Sequence, residues 1–210
     1  MSTQLSVWAP GRATVEVDFG ARCLAMTPSD DGWWRADPTE VGALRAGTRY
    51  QFRLDGGPPL ADPRSPWQPD GIEGPSATVD HEAFVWHDRG WRGRPLAAAV
   101  IYELHVGTFS PEATFAGVAE RLEHLVDLGV DAIELLPVAE FSGDRGWGYD
   151  GALLWAPHHS YGGPDELKRL VDAAHRRGLS VVLDVVYNHL GPVGNRLAEY
   201  GPYFTDRYKT

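Results

Sequence analysis

Val181-Val182-Leu183-Asp184-Val185-Val186-Tyr187-Asn188-His189 is the stretch that decides the fold. Its first half is apolar and β-branched, the composition of a strand buried on both faces. It closes on side chains that hydrogen-bond: Asp184, Tyr187, Asn188 and His189. A buried strand that delivers polar groups at its carboxyl end is how a parallel α/β fold builds an active site.

Working outward from that strand, predicted over 180–185, a helix precedes it. Pro164 opens the helix in its first turn, with Asp165 and Glu166 favourable near its amino end. Leu167, Leu170, Val171 and Ala174 fall on its inward face, and Gly178 terminates it. Further upstream, Ala132-Ile133-Glu134-Leu135-Leu136 reads as a second strand. The helix before it is predicted from a Thr114 cap through Leu128, with Val118, Leu122, Leu125 and Val126 on one face and Gly129 at its end. Val100-Ile101-Tyr102-Glu103-Leu104-His105 is the first strand of the series. The order β-α-β-α-β implies parallel strands. A barrel and a doubly wound sheet both begin this way. No phosphate-type glycine loop joins the first strand to the first helix, which counts against a nucleotide fold. Gly143-Asp144-Arg145-Gly146-Trp147-Gly148 follows the second strand and leads into no helix.

Residues 1–92 have a different texture. Leu5-Ser6-Val7-Trp8 and Thr14-Val15-Glu16-Val17-Asp18-Phe19 alternate apolar and polar, with Pro10-Gly11 as a turn between them. Trp33-Trp34-Arg35-Ala36 and the run from Thr48 to Leu54 continue the pattern, which suggests a small antiparallel sandwich. Residues 56–76 are dense in Pro, Gly and Asp and read as an ordered connector. A division at 90–95 separates an amino-terminal sandwich, 1–92, from an α/β part, 93–210.

Composition narrows the partners. A net charge of −10 argues against nucleic acid and anionic membranes. No apolar run is long enough to read as a membrane span, and the first ten residues lack a secretory pattern, so cytoplasmic residence is the expectation. The single Cys23 fits a reducing compartment and reads as a small inert apolar residue.

The motifs resemble the alpha-amylase superfamily, glycoside hydrolase family 13. Trp8-Ala9-Pro10, Trp33 and Tyr50-Gln51-Phe52 resemble the amino-terminal sandwich of its branching and debranching members. Ile101-Tyr102-Glu103-Leu104-His105-Val106-Gly107 resembles a first barrel strand, and the segment from Leu128-Gly129-Val130 to Leu136-Pro137-Val138 a second. Gly146-Trp147-Gly148-Tyr149-Asp150-Gly151, Tyr161-Gly162-Gly163 and Asp184-Val185-Val186-Tyr187-Asn188-His189 complete the set. The stretch from Trp67 to Ser76, Gly107-Thr108-Phe109-Ser110-Pro111-Glu112 and Tyr203-Phe204-Thr205-Asp206-Arg207-Tyr208 resemble the malto-oligosyltrehalose trehalohydrolase branch. The resemblance implies a multidomain β plus α/β protein: an immunoglobulin-like (E-set) sandwich, then the first three β/α units of a TIM (β/α)8 barrel. It implies cleavage of the α-1,4 bond beside the terminal trehalosyl unit of maltooligosyl trehalose or a related α-glucan, with no cofactor. It also implies that the rest of the catalytic barrel is a partner of these residues.

Retaining glycoside hydrolysis needs a nucleophilic carboxylate and an acid roughly 5 Å apart. In the family these arise from later strands and are expected beyond Thr210, so this chain alone is expected to be inactive. Glu134, Glu140, Asp150 and Asp184 take neither role. The resemblance assigns substrate contacts to Tyr149, by ring stacking, to Asp150 as an acceptor and to His189 as a donor. Asp184 is expected to orient a basic group, and Asn188 to hold its loop. Asn188 aligns with a calcium ligand in many amylases, but calcium needs six to eight oxygens and no companion acidic loop is present, so no metal is expected. The adjacent pair His158-His159 is expected to point to opposite sides of an extended segment, as loop packing. Two other readings stay open: a branching or debranching enzyme, and a non-catalytic carbohydrate-binding module that uses an aromatic platform on the sandwich. Trp33 and Trp34 are adjacent, so only one can face outward.

Overall fold

A computed structural model describes residues 5–205 and 207. Asp206 and Tyr208 of the last motif lie outside the described residues.

The amino-terminal half is antiparallel β. Its strands are β1 (Ser6–Trp8), β2 (Val15–Asp18), β3 (Cys23–Pro28), β4 (Trp33–Ala36), β5 (Arg49–Leu54), β6 (Pro59–Leu60) and β7 (Ser76–Ala77). They run in the order β1-β4-β3-β2-β5-β6, with β7 also paired to β5. A short helix, α1 (Pro38–Val41), is capped by Asp37, whose Oδ1 accepts from the Thr39 N–H at 2.7 Å.

Strand β3 was not legible as alternation, because only Met26 of its six residues is buried. Its first half, Cys23 to Ala25, pairs with β2 and its second half, Met26 to Pro28, with β4. Val7, Val15, Val17, Trp34, Phe52 and Leu54 meet in one cluster, so the sheet curls around its own core. Cys23 sits opposite Asp18 at the start of β3 and is exposed. The two tryptophans divide as the strand period requires. Trp34 is buried and its indole N–H donates to the Ala9 carbonyl at 3.1 Å. Trp33 faces outward beneath the Arg64 guanidinium, 4.4 Å from its ring centre.

The Pro/Gly-rich connector is ordered by polar side chains that replace ladder bonds. Buried Asp62 accepts from the Tyr50 hydroxyl at 2.7 Å, and its N–H donates to Ser76 Oγ at 2.9 Å. The buried amide of Gln68 donates to the Gly71 and Gly74 carbonyls.

Residues beyond about 100 build a parallel sheet with helices. In chain order the elements are β8 (Ile101–Leu104), α2 (Val106–Phe109), α3 (Phe115–Ala119), α4 (Leu122–Leu128), β9 (Ala132–Leu135), β10 (Ala139–Glu140), β11 (Leu153–Pro157), α5 (Gly163–Arg176), β12 (Ser180–Leu183) and α6 (Leu197–Tyr200). Strands β8, β9 and β12 lie side by side in sequence order and in register, and Leu104, Leu135 and Leu183 align at their carboxyl ends. Strands β10 and β11 form a separate antiparallel pair. Phe115, Val118, Leu122, Leu125, Ile133, Leu135, Leu170 and Ala174 close one core between the helices and the sheet.

The single helix expected over 114–128 is two. Thr114 does cap its start, with Oγ1 accepting from the Gly117 N–H at 3.1 Å, and Gly129 ends it in the left-handed region. Between them Arg121 leaves helical geometry (φ −107°, ψ 5°) and its N–H bonds to Val118 instead of Gly117. The Gly117 carbonyl freed by that shift accepts from the Arg121 guanidinium at 2.8 Å, so the break leaves no orphan acceptor there. The strand expected over 180–185 stops at Leu183, and it is not buried on both faces. Val181 and Val182 are half-buried and Leu183 is exposed, because β12 is the edge of the three-stranded sheet.

Both halves are tied together. Tyr200 of α6 is buried in the amino-terminal core, and its hydroxyl donates to the Ala61 carbonyl at 2.8 Å. The Arg12 guanidinium donates to the Glu199 carbonyl. The segment 84–91 packs on α5: the His87 N–H donates to Asp172 at 2.6 Å, and the Trp91 ring stacks on His175 at 4.7 Å.

Candidate functional site

The register of the parallel sheet puts His105, Leu136 and Asp184 just past the same carboxyl-terminal edge of the strands. Two loops rise from that edge. One follows β10 and carries Tyr149 and Asp150; the other follows β12 and carries Asn188 and His189. They meet. His189 Nε2 lies 2.9 Å from the Tyr149 main-chain carbonyl, and the Gly191 N–H donates to the Gly151 carbonyl at 3.0 Å. Gly191 is required by this approach, since a Cβ there would sit 2.0 Å from the Asp150 carbonyl oxygen. Gly148 sets the other loop. It holds φ +90° against Pro137, whose carbonyl oxygen leaves no room for a Cβ.

Of the five residues singled out in the sequence, the structure brings three into this junction: Tyr149, Asn188 and His189. The Tyr149 ring and Asp150 are exposed beside it. Asn188 Nδ2 lies 2.8 Å from His189 Nδ1. One neutral tautomer satisfies both contacts, with Nδ1 accepting from Asn188 and Nε2–H donating to Tyr149. Both ring nitrogens are then engaged within the protein. His189 as placed fastens the Tyr149 loop, and donation to a sugar hydroxyl requires it to exchange one of these partners. Asp184 is half-buried; its N–H donates to Leu135 at 3.0 Å and it borders a small cleft with Pro137, Gly148 and Val186.

A larger cleft of about 840 Å³ opens at the end of β8, lined by His105, Thr108, Glu112, Asp144, Trp147 and Tyr161. His105 holds it together. Its Nδ1 is 3.1 Å from Thr108 Oγ1, and its Nε2 is 2.8 Å from the Gly146 carbonyl and 3.1 Å from the Tyr161 hydroxyl. Burial, with the nearby Glu140 charge, pushes the Tyr161 hydroxyl up to about 12, so the phenol stays protonated through the physiological range. An aromatic groove of about 460 Å³ runs between the two halves, bordered by Trp8, Trp33, Arg64, Trp155 and Tyr203. Trp155 was missed in the sequence; its exposure in the middle of the apolar run 153–157 becomes visible only once β11 is paired on one side.

The pair His158-His159 departs from expectation. The chain turns at His158 into a 3₁₀ turn (His159–Tyr161), so the two imidazoles do not diverge as on a straight strand. Both approach the buried Glu140 carboxylate, at 3.3 Å and 2.8 Å.

The profile described as "Alpha amylase, catalytic domain" matches residues 87–203, more than half of the chain. The chain belongs to the alpha-amylase family. Among curated relatives of this alpha-amylase member, a malto-oligosyltrehalose trehalohydrolase of Arthrobacter ramosus is 51% identical over 97% of the chain and 36% of its own length. A 1,4-alpha-glucan branching enzyme of Pseudoalteromonas atlantica is more distant, at 31% identity over 95% of the chain and 30% of its length. A Salmonella typhimurium crystal structure assigned to the alpha amylases superposes with a TM-score of 0.94 at 44% identity, covering 99% of the chain and 35% of that protein. The chain thus spans about a third of the length of the relatives it matches.

Proposed function

We propose that these residues are the amino-terminal part of a trehalohydrolase that cleaves the α-1,4 bond beside the terminal trehalosyl unit of maltooligosyl trehalose, releasing trehalose. The observation that carries this reading is the contrast in identity, 51% to a trehalohydrolase against 31% to a branching enzyme over nearly the same span. The finer architecture is part of the proposal: an E-set-like sandwich over 1–92 and the first three β/α units of a (β/α)8 barrel over 93–210. The consecutive order β8-β9-β12 supports it, and the packing of 84–91 on α5 favours a division somewhat upstream of 92.

In this reading Tyr149, Asp150 and His189 form one wall of the sugar pocket. Stacking of an apolar sugar face uses the exposed Tyr149 ring, and Asn188 and His189 hold its main chain in place. The rest of the catalytic barrel supplies the carboxylate nucleophile and acid. The sandwich braces the barrel, consistent with Tyr200 being buried in the sandwich core.

The test is product analysis on maltooligosyl trehalose with the polypeptide that joins these residues to the remainder of the barrel. Trehalose release, absent with this chain alone, is expected. Transfer that creates α-1,6 branch points without trehalose would sink the reading in favour of a branching enzyme.

A further inference from the structure

Glu140, His158 and His159 form a cluster that the reading above leaves unused. Strands β10 and β11 pair Ala139 with Pro157, which sets Glu140 beside the two histidines that follow β11. Glu140 and His158 are fully buried, and His159 is mostly so. Glu140 Oε2 accepts from the His159 N–H at 2.7 Å. Glu140 Oε1 lies 2.8 Å from His159 Nδ1 and 3.3 Å from His158 Nδ1.

His158 is the anomaly. Its ring is stacked on Phe141 at 3.8 Å and meets Tyr161 edge-on at 4.9 Å, yet neither ring nitrogen makes a hydrogen bond. The 3.3 Å approach to Glu140 lacks hydrogen-bond geometry. A buried imidazole with both nitrogens unpaired carries a desolvation cost that no hydrogen bond from the described residues offsets. A buried carboxylate whose ion-pair partners, among the described residues, are imidazoles carries another.

One cation at the centre would pair one His158 nitrogen and balance the Glu140 charge. One ligand atom from each residue lies within 4.8 Å of the others. Nitrogen and oxygen ligands about 2.0–2.2 Å from a tetrahedral ion stand roughly 3.3–3.6 Å from one another, so side-chain shifts of about 1 Å bring the three groups to ligand spacing. Two imidazole nitrogens and one carboxylate suit zinc or a similar late first-row divalent ion, with one position left for water. Calcium and magnesium prefer all-oxygen sets. His159 also has the outer support that ligating imidazoles carry: its Nε2 is 3.4 Å from Asp144 Oδ1.

We propose that Glu140, His158 and His159 bind one zinc-type divalent cation. The ion joins β10 to the turn after β11, and so clamps the base of the 141–152 loop that carries Tyr149. The proposal stands on these side chains and holds whatever the enzyme's substrate.

The test uses tag-free protein freed of metal with a chelator and titrated with zinc sulfate by calorimetry, with cobalt(II) as a spectroscopic probe. One equivalent is expected to bind, to raise the melting temperature, and to give the visible absorption of four-coordinate cobalt with nitrogen ligands. His158→Gln and Glu140→Gln should abolish stoichiometric uptake. Should either fail to fold, Asp144→Asn alters an exposed carboxylate and should weaken binding about 10–100-fold. Absence of stoichiometric uptake by the wild type overturns the site. So does uptake undiminished in His158→Gln or in Asp144→Asn, which would mark adventitious binding at other histidines.

Discussion

His189 Nε2 lies 2.9 Å from the main-chain carbonyl oxygen of Tyr149, forty residues away in the chain. The contact joins the loop after β10 to the loop after β12, and Asn188 completes it from the other side of the imidazole. Two side chains chosen in the sequence for sugar binding are therefore linked first to each other, ring to backbone. In an exposed junction such a neutral hydrogen bond is worth about 0.5–1.5 kcal/mol. His189→Ala should cost that much in an unfolding titration and should speed amide exchange at 148–151. Unaltered exchange there would show that the contact holds nothing. In the complete enzyme, Tyr149→Ala should lose stacking worth on the order of 1 kcal/mol.

Close approach makes a second prediction. Gly148→Ala combines a positive φ with a Cβ placed 1.9 Å from the Pro137 carbonyl oxygen. It should destabilise by about 1–3 kcal/mol, the usual scale of backbone strain. Gly11 also has a positive φ, at +91°, but open space around it. Gly11→Ala should therefore cost less. Equal melting-temperature losses in the two variants would mean that the packing at Pro137 does not matter.

Helix α4 offers an internal comparison for the core. Leu125 is fully buried, whereas Leu128, three residues on, is 59% exposed. Leu125→Ala should cost about 2–5 kcal/mol, as buried large-to-small changes do. Leu128→Ala should stay within about 0.5 kcal/mol. Chemical denaturation of both variants decides it, and a small effect at Leu125 would contradict the packed core.

Two carboxylates should give opposite pH trends. The Gly20 N–H beside Asp18, aided by Arg53, holds its carboxyl below the usual range despite burial. Its contribution is present above the unfolded value of about 3.9 and is lost as pH falls through the lower folded value. Burial raises the Asp62 carboxyl, with the Arg64 N–H and Tyr50 hydroxyl opposing. Its contribution is favourable at low pH and is lost as pH rises through the raised folded value. Relative to wild type, Asp18→Asn should be most damaging near neutrality and least at acid pH. Asp62→Asn should show the reverse. Stability curves across pH test both, and parallel curves for wild type and Asp62→Asn would remove the assigned effect of burial.

The sequence by itself determined the family and most of the principal elements. Period-2 alternation around Val15 and Phe52, the Thr114 cap and Gly129 stop, and the inward stripe through Leu170 and Ala174 are local signals, set by which face of a strand or helix must leave water. Asn188 and His189 were visible as polar groups beyond an apolar strand, and Tyr149 through the resemblance of its motif to the family. What the tertiary structure decided depends on partners distant in sequence. It placed β3 by its pairing with both β2 and β4. It broke the 114–128 helix where Arg121 could reach the Gly117 carbonyl, and it exposed Cys23 and Leu183 on an outer face and a sheet edge. It turned His158 and His159 toward Glu140, against the opposite pointing expected of neighbours on a strand. Alternation tells which side a residue faces, but only packing tells what stands there, because burial and hydrogen-bond satisfaction belong to the assembled surfaces rather than to the segment.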